Sequence, residues 1–378
     1  MSRPRVVLAG LGDTGLLTAG ALRAGERRFG PLDLTGVATT PALVSGQELG
    51  VRLARPEDWR RDYLVELRRY RSLQGARVVH GAVVDADLDA GEVRVARAGG
   101  GTETLAYDVL VVATGVANGF WRDASVRSTA EAERDLRARH EQVAGAGRVA
   151  VVGGGAAAVS VAGNLALTWP DKQVDLYFPG ERPLPQHHGR TWVGVRRRLE
   201  AAGVGLHPGH RAVLPESDEP SPGPVTFSTS QPPAEADLVL WAVGRVRPHT
   251  GWLPSRVLDD GGFVRTGLDL RVRDAAGDPV DGIFAIGDVA ATDPLRSSAR
   301  NFSHHLLARN LRAHLDGRPP KEMTLPGRRW GSVLGPQPDG LDVWTASGRR
   351  THLPRWFQDR VIQPVAVRRV LYGGVRRG

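Results

Sequence analysis

Two short glycine-rich stretches hold the residues of this sequence whose types and spacing are most specific. They are Gly10-Leu11-Gly12-Asp13-Thr14-Gly15 and Gly153-Gly154-Gly155-Ala156-Ala157-Ala158. In such a turn the first glycine lets the chain leave a strand sharply, and the second lets backbone approach a pyrophosphate. The third position lets strand and helix pack closely, which leaves the helix N-terminus aimed at the phosphates. This is chemistry for holding a dinucleotide, not for making bonds. A third element, Asp281-Gly282-Ile283-Phe284-Ala285-Ile286-Gly287-Asp288, reads as a buried strand whose end presents one carboxylate beside a glycine. The 378 residues include no cysteine. A dithiol relay, a thiolate nucleophile, a Cys-held iron–sulfur cluster and a Cys-based zinc site are therefore excluded. Redox chemistry on this chain must sit on a bound organic cofactor or a non-thiolate metal.

The elements that would position these residues occur as a duplicated pattern. The first copy opens with Arg5-Val6-Val7-Leu8-Ala9, an apolar run suited to a strand buried on both faces. The Gly10 turn and a helix-like segment through Leu22 follow, and the copy closes on Tyr107-Asp108-Val109-Leu110-Val111-Val112-Ala113-Thr114-Gly115. The second opens with Arg148-Val149-Ala150-Val151-Val152, turns at Gly153, continues as a helix through Leu167 and closes on Ala236-Asp237-Leu238-Val239-Leu240-Trp241-Ala242-Val243-Gly244. Two copies of similar length predict an α/β fold of two Rossmann-like units. The length suits two domains plus an appendage, and 41% apolar with 24% charged residues is a globular balance.

In this order the motifs resemble the FAD-dependent pyridine nucleotide oxidoreductase superfamily, in the branch of type II NADH dehydrogenases and apoptosis-inducing-factor-like quinone reductases. The absence of a cysteine pair, Gly244-Arg245-Val246-Arg247-Pro248 and a short basic C-terminal part point to that branch. The resemblance implies an FAD domain from residues 1–118 and 253–325, an NAD(P)H domain from 119–252, and a small C-terminal extension from 326–378. It implies that Gly10, Gly12, Asp13, Thr14 and Gly15 hold the FAD pyrophosphate, that Ala113, Thr114 and Gly115 lie against FAD, and that Gly287 and Asp288 meet its ribityl end. Gly153, Gly155, Ala158, Ser160, Gly244 and Arg245 would seat NAD(P)H. Ser297 or Ser298 would cap a helix running through Asn301 to Leu315, whose positive end would face the flavin. Ser45 and Gln47 fall where this family contacts the flavin.

The chain also departs from the pattern. No acid follows the second strand, Leu32-Asp33-Leu34-Thr35-Gly36-Val37-Ala38, where the adenosine ribose of FAD would want one. Thr39 and Thr40 offer hydroxyls only. Ser160 and Asn164 stand at positions that are often acidic in the family. After Val174-Asp175-Leu176-Tyr177-Phe178, the cationic Arg182 with His187 and His188 is suited to a 2′-phosphate, which favours NADPH over NADH. The adjacent His304 and His305 would point about 100° apart on a helix and cannot chelate one metal together.

The formal charge of +9 is concentrated at the end of the chain. From Pro326 onward there are ten arginines against Asp339, Asp342 and Asp359. Such a segment suits an anionic partner: a peripheral membrane surface, nucleic acid or an acidic protein. The stretch from Arg355 through Val370 mixes aromatic, aliphatic and Arg residues around Pro364, which would break a helix. An interfacial anchor, docking on the protein's own surface and a dimer contact all fit it. No long apolar run occurs, and the start passes directly into a strand, so a cytoplasmic protein is expected. Three readings of function remain open. The first is an electron-transfer flavoenzyme that takes electrons from NAD(P)H to a quinone or another small aromatic acceptor. The second is a reductase for a ferredoxin-type carrier, or a tailoring enzyme of specialised metabolism. The third is a non-enzymatic nucleotide-binding protein that keeps the flavoprotein fold. No DNA-reading module is recognisable, and the oligomeric state is not encoded in any of these features.

Overall fold

A computed structural model describes residues 3–119, 121–296 and 302–376. Its largest sheet is built around Arg5–Ala9, which pairs in parallel with Asp33–Ala38 on one side and Val109–Val112 on the other. Arg77–Asp87 extends the sheet in parallel beyond Asp33–Ala38 and then folds back antiparallel through Glu92–Arg97 and Thr102–Ala106. On the far side, Pro279–Ala285 lies parallel to Val109–Val112, and Arg271–Arg273 is the antiparallel edge. This eight-stranded sheet thus takes strands from residues 5–112 and 271–285.

The alternation of strand side chains gives the sheet two cores. Val6, Leu8, Leu34, Val109, Val111 and Phe284 face the helices Asp13–Phe29 and Ser303–Leu315. Val7, Ala9, Val37, Leu110, Val112 and Ile283 face the opposite way, toward Val93, Val95, Trp252 and Val257. The innermost strand residues Val6, Val7, Leu8 and Ala9 are fully buried, as expected of a parallel strand covered on both faces.

Residues 148–241 form a second parallel sheet in the order Gly205–His207, Gln173–Tyr177, Arg148–Val152, Leu238–Trp241. The central strand again lies between the next strand and the closing strand, so the duplicated sequence pattern is a duplicated topology. The chain crosses between the units twice. Val116–Ala117 and Arg247–Pro248 run side by side as a two-stranded antiparallel link.

The C-terminal part is bound to both units. Its hairpin, Gly340–Trp344 with Arg350–Pro354, seats Trp344 on the second unit, where a Cβ on Gly194 would lie 2.0 Å from the indole Cη2. Arg198 bridges to Asp339 and Asp342 at 2.8 Å each. The helical segment Gln358–Leu371 returns to the first unit. It is of the wide π type and carries Pro364 inside it, so the break expected at that proline does not occur. Gln363 donates to the Tyr63 hydroxyl at 2.9 Å, Arg368 pairs with Asp62 at 2.7 Å, and Val375 bridges to Tyr70. Of the uses read from its composition, this part of the chain shows docking on the protein's own surface. No helix among the described residues is long and apolar enough to cross a membrane.

Candidate cofactor site between the two glycine turns

The two glycine turns are built alike down to the atoms that forbid a side chain. Gly10 has φ +107° and Gly153 φ +145°, values that L side chains rarely adopt. A Cβ on Gly10 would stand 2.5 Å from the Ala113 carbonyl oxygen, and one on Gly153 would stand 2.2 Å from that of Ala242. Each first glycine therefore lies on the end of the closing strand of its own copy. The third position is also filled by packing. A Cβ on Gly15 would fall 2.0 Å from the Gly10 oxygen, and Ala158 is fully buried against Gly153. The middle glycines differ from both neighbours. A Cβ on Gly12 or Gly155 would meet nothing within 4 Å. These two residues are also the N-caps of Asp13–Phe29 and Ala156–Thr168, and neither helix start has a side-chain cap. Each turn thus presents open space at an uncapped, positive helix end, the arrangement that accepts phosphate.

One cavity of about 1420 Å³ is lined by the open parts of both turns, Gly10 to Thr14 and Gly155 to Ala157, while Gly15, Gly153 and Ala158 are packed behind its wall. Gly10, Gly12, Asp13, Thr14, Thr39, Thr40, Ala113, Thr114, Gly115 and Asp288 line it from the first unit. Gly155, Ala156, Ser160 and Gly244 line it from the second. It follows the carboxyl ends of both parallel sheets, where α/β folds hold their ligands. Trp330, Ser332 and Val333 of the C-terminal part close one side.

The charged groups around this cavity hold one another in place. Asp13, in the first turn of its helix, accepts from Ser45 Oγ at 2.8 Å, from the Gly46 amide at 2.9 Å and from the Tyr372 hydroxyl at 2.6 Å. Asp288 is in contact with Arg122. Burial opposes the Arg122 cation, but Asp288 and then Asp13 more than offset it, and its pKa is raised. Arg127 pairs with Asp135 at 2.8 Å, and its backbone amide donates to the Thr39 carbonyl. Arg52 has no carboxylate within ion-pair distance among the described residues. Its guanidinium donates to the Trp121 carbonyl and lies 5.6 Å from the Trp59 ring. Burial, followed by Arg122 and Arg127, pushes it down to about 10, so it stays cationic at neutral pH. No local signal in the sequence singles out Arg52, Arg122 or Arg127. Arginine is too common here for any one of them to stand out, and only the fold brings them together.

The other predicted residues fall in several settings. Thr114 lines the cavity, but its hydroxyl donates to the His249 carbonyl at 2.8 Å. Thr40 is buried and Thr39 half-buried at the end of the second strand, with no carboxylate on that strand end. Ser160 Oγ is buried without a hydrogen-bond partner, and a Cβ on Gly50 would lie 2.3 Å from the Ser160 carbonyl oxygen. Asn164 is away from the cavity lining. It accepts from Arg55 at 2.9 Å and donates to the Leu334 carbonyl at 2.8 Å, tying three parts of the chain together. Gly244 lines the cavity, whereas Arg245 reaches the Pro215 carbonyl at 2.7 Å. Arg182 is exposed beside the Leu184 carbonyl, outside the cavity lining, His187 is buried, and His188 caps the helix Gly189–Ala201. Gly287 packs on Thr14, where a Cβ would stand 2.7 Å from Oγ1. Ser297, Ser298 and Asn301 lie outside the described residues. The helix expected after them runs Ser303–Leu315, with Phe302 at its N-cap and no side-chain cap. His304 is buried with Nδ1 unpartnered, and no metal-binding group of residues occurs among those described.

Comparison with known proteins accounts for this duplicated geometry. The sequence pattern of the family described as pyridine nucleotide-disulphide oxidoreductase matches residues 7–309, which includes both turns and Gly287-Asp288. The chain belongs to this family. Membership bears out the superfamily and the α/β fold of dinucleotide-binding units read from the motifs, although the chain has no cysteine with which to form the family's disulphide. A curated relative, the oxidoreductase ptaL of Pestalotiopsis fici, is 27% identical over 248 residues, 64% of this chain and 63% of that one. The chain therefore spans less than two thirds of the length of that relative. The fold is shared with a ferredoxin reductase of Rhodopseudomonas palustris, at 19% identity and a TM-score of 0.62, over 87% of this chain and 79% of that one. It is also shared with NDH2 of Plasmodium falciparum, at 14% identity and a TM-score of 0.59, over 76% and 65%.

Proposed function

We propose that the protein is an FAD-dependent oxidoreductase that takes electrons from NAD(P)H and delivers them to a quinone or another small aromatic acceptor. The observation that carries this reading is the single cavity holding two open, uncapped glycine turns, one from each unit. Asp288 at the end of the third motif strand adds the contact for the first ligand. In this reading the Gly10–Gly15 turn and the amides at the start of its helix hold the FAD pyrophosphate, with Thr39 and Thr40 toward the adenosine. Asp288 and Arg122 meet the ribityl end. Gly153, Gly155 and Ala158 seat NAD(P)H, with Ser160 where the two ligands meet. Bound there, FAD supplies the capacity to accept a hydride and release electrons singly or in pairs. The chain supplies position, charge and exclusion of water, and needs no nucleophile. Arg182 remains available to a 2′-phosphate, which favours NADPH, while His188 is committed to its helix cap.

The test is an absorption spectrum of the FAD-loaded protein, taken anaerobically before and after NADPH and then NADH. Bleaching of the flavin bands is the expected result. Flavin that stays oxidised with both donors removes the NAD(P)H site from the proposal, and a protein that takes up no FAD overturns it. A second reading, reduction of an acidic iron–sulfur carrier, is favoured by the exposed Arg349, Arg360 and Arg369 of the basic extension. Turnover that falls steeply with added salt would select it over a neutral acceptor.

A further inference from the structure

Asp13 sits where a carboxylate ought to interfere with the ligand. It occupies the first turn of the helix whose N-terminus faces the cavity, and it lines that cavity itself. A helix N-terminus attracts any nearby anion, so Asp13 competes with a phosphate for the same positive end. The structure resolves the competition by drawing the carboxylate away. Oδ1 accepts from both Ser45 Oγ and the Tyr372 hydroxyl, and Oδ2 accepts from the Gly46 amide. The same bonds fix the loop of Ser45, Gly46 and Gln47, which is part of the cavity wall.

Tyr372 comes from 359 residues further along the chain. It is 2% exposed, and its ring packs edge-on against Tyr70 at 5.7 Å between centroids. Around it the strap is fastened by the Arg71 amide to the Gly374 carbonyl at 2.9 Å and the Arg376 amide to the Arg69 carbonyl at 2.8 Å. Arg368 and Gln363 pin the preceding turns.

We propose that Tyr372 is a positioning residue of the cofactor site, and that docking of the strap around residues 358–376 and retention of FAD are thermodynamically coupled through Asp13. The inference rests on the FAD reading given above. The hydroxyl holds Asp13 in the orientation that leaves the helix end to the phosphates and the Ser45–Gln47 wall in place. Coupling of this kind is reciprocal, so bound FAD tightens the strap by the factor with which the strap tightens FAD.

The experiment compares full-length wild type with Tyr372→Phe, which keeps the ring against Tyr70 and removes only the donor. FAD is titrated into each apo-protein by flavin fluorescence, and hydrogen exchange is followed at the Gly46 amide. Loss of a bond to a charged acceptor predicts roughly 10-fold weaker FAD binding in the variant and faster exchange at Gly46. Arg368→Met, which loosens the strap while keeping the hydroxyl, is expected to weaken FAD less. The effect of Tyr372→Phe should also change in a Ser45→Ala background, because both donors share one oxygen. A Tyr372→Phe protein with wild-type FAD affinity and unchanged Gly46 exchange overturns the proposal. Wild type that binds no FAD overturns the cofactor reading instead, a distinguishable result.

Discussion

Replacing Gly12 by alanine should separate binding from folding. Gly12 has φ −70° and ψ −170°, ordinary extended values that alanine adopts, and its added methyl would meet no atom within 4 Å. Alanine is a poorer N-cap than glycine by roughly 1 kcal/mol, but it also lowers the entropy of the unfolded chain, which offsets about 0.4–1 kcal/mol of that. Stability of the apo-protein should therefore stay within about 1 kcal/mol of wild type. The methyl would instead stand in the space offered to the pyrophosphate. Moving a phosphate off the helix amides loses at least one charge-assisted hydrogen bond, about 1.5–3 kcal/mol, which is roughly 10- to 100-fold in FAD affinity. Gly15→Ala is the contrast. Its Cβ would lie 2.0 Å from the Gly10 oxygen, a backbone atom with no rotamer to escape to. Overpacking of this kind costs about 1–3 kcal/mol or more and should lower the apo melting temperature by several degrees. The assays are thermal melts of apo-protein and FAD titration of both variants. A Gly12→Ala protein that binds FAD like wild type, or that melts as early as Gly15→Ala, refutes the assignment of the open side of this turn to the phosphates.

Two further outcomes are expected. Gly194→Ala would place a methyl 2.0 Å from Trp344, so the hairpin Gly340–Trp344 with Arg350–Pro354 should detach locally. Faster hydrogen exchange confined to residues 331–354 and their seat would show this, and unchanged exchange would count against the packing. Burial, then the neighbouring His305, pushes His304 down to about 4, so the fold holds it neutral. Its contribution is complete above the unfolded-state value of about 6.5 and is lost as pH falls from there toward 4, by at most about 3 kcal/mol. Urea unfolding at pH 7 and pH 4.5 should show a drop in stability that His304→Gln reduces. An equal drop in both proteins would assign the effect to other groups.

The parts of the site legible in the sequence are those where local sterics leave only one choice of residue. Gly10 and Gly153 must lie on the carbonyl of a closing strand at positive φ, so their identity, spacing and flanking strands reveal the turn before any coordinates are known. The charged wall was not legible. Arg122 reaches Asp288 across 166 residues, and nothing near either one announces the other. Tyr372 and Asp13 are a harder case, since a lone tyrosine in a basic tail reads as surface or anchor until the chain is seen to return. Asn164 has a different use from the one its position suggests. It stands where an acid was expected near a ligand, and the structure uses its amide to join Arg55 and the Leu334 carbonyl. Pro364 reads as a helix breaker in sequence, and a wider coil carries it.

The order of strands in the large sheet also bears on how the chain is made. Pro279–Ala285 completes a sheet whose other central strands lie within residues 5–112, and the whole of the second sheet is encoded between them. During synthesis, Val109–Val112 therefore waits with one parallel edge unpaired until the inserted unit has emerged and the chain has come back. Parallel pairing across so long a loop is slow, and an open apolar edge invites association with other chains. Fragments ending near residue 118 should aggregate, whereas the insert, whose sheet is local in sequence, is the part able to fold first and bring the two ends of its host together.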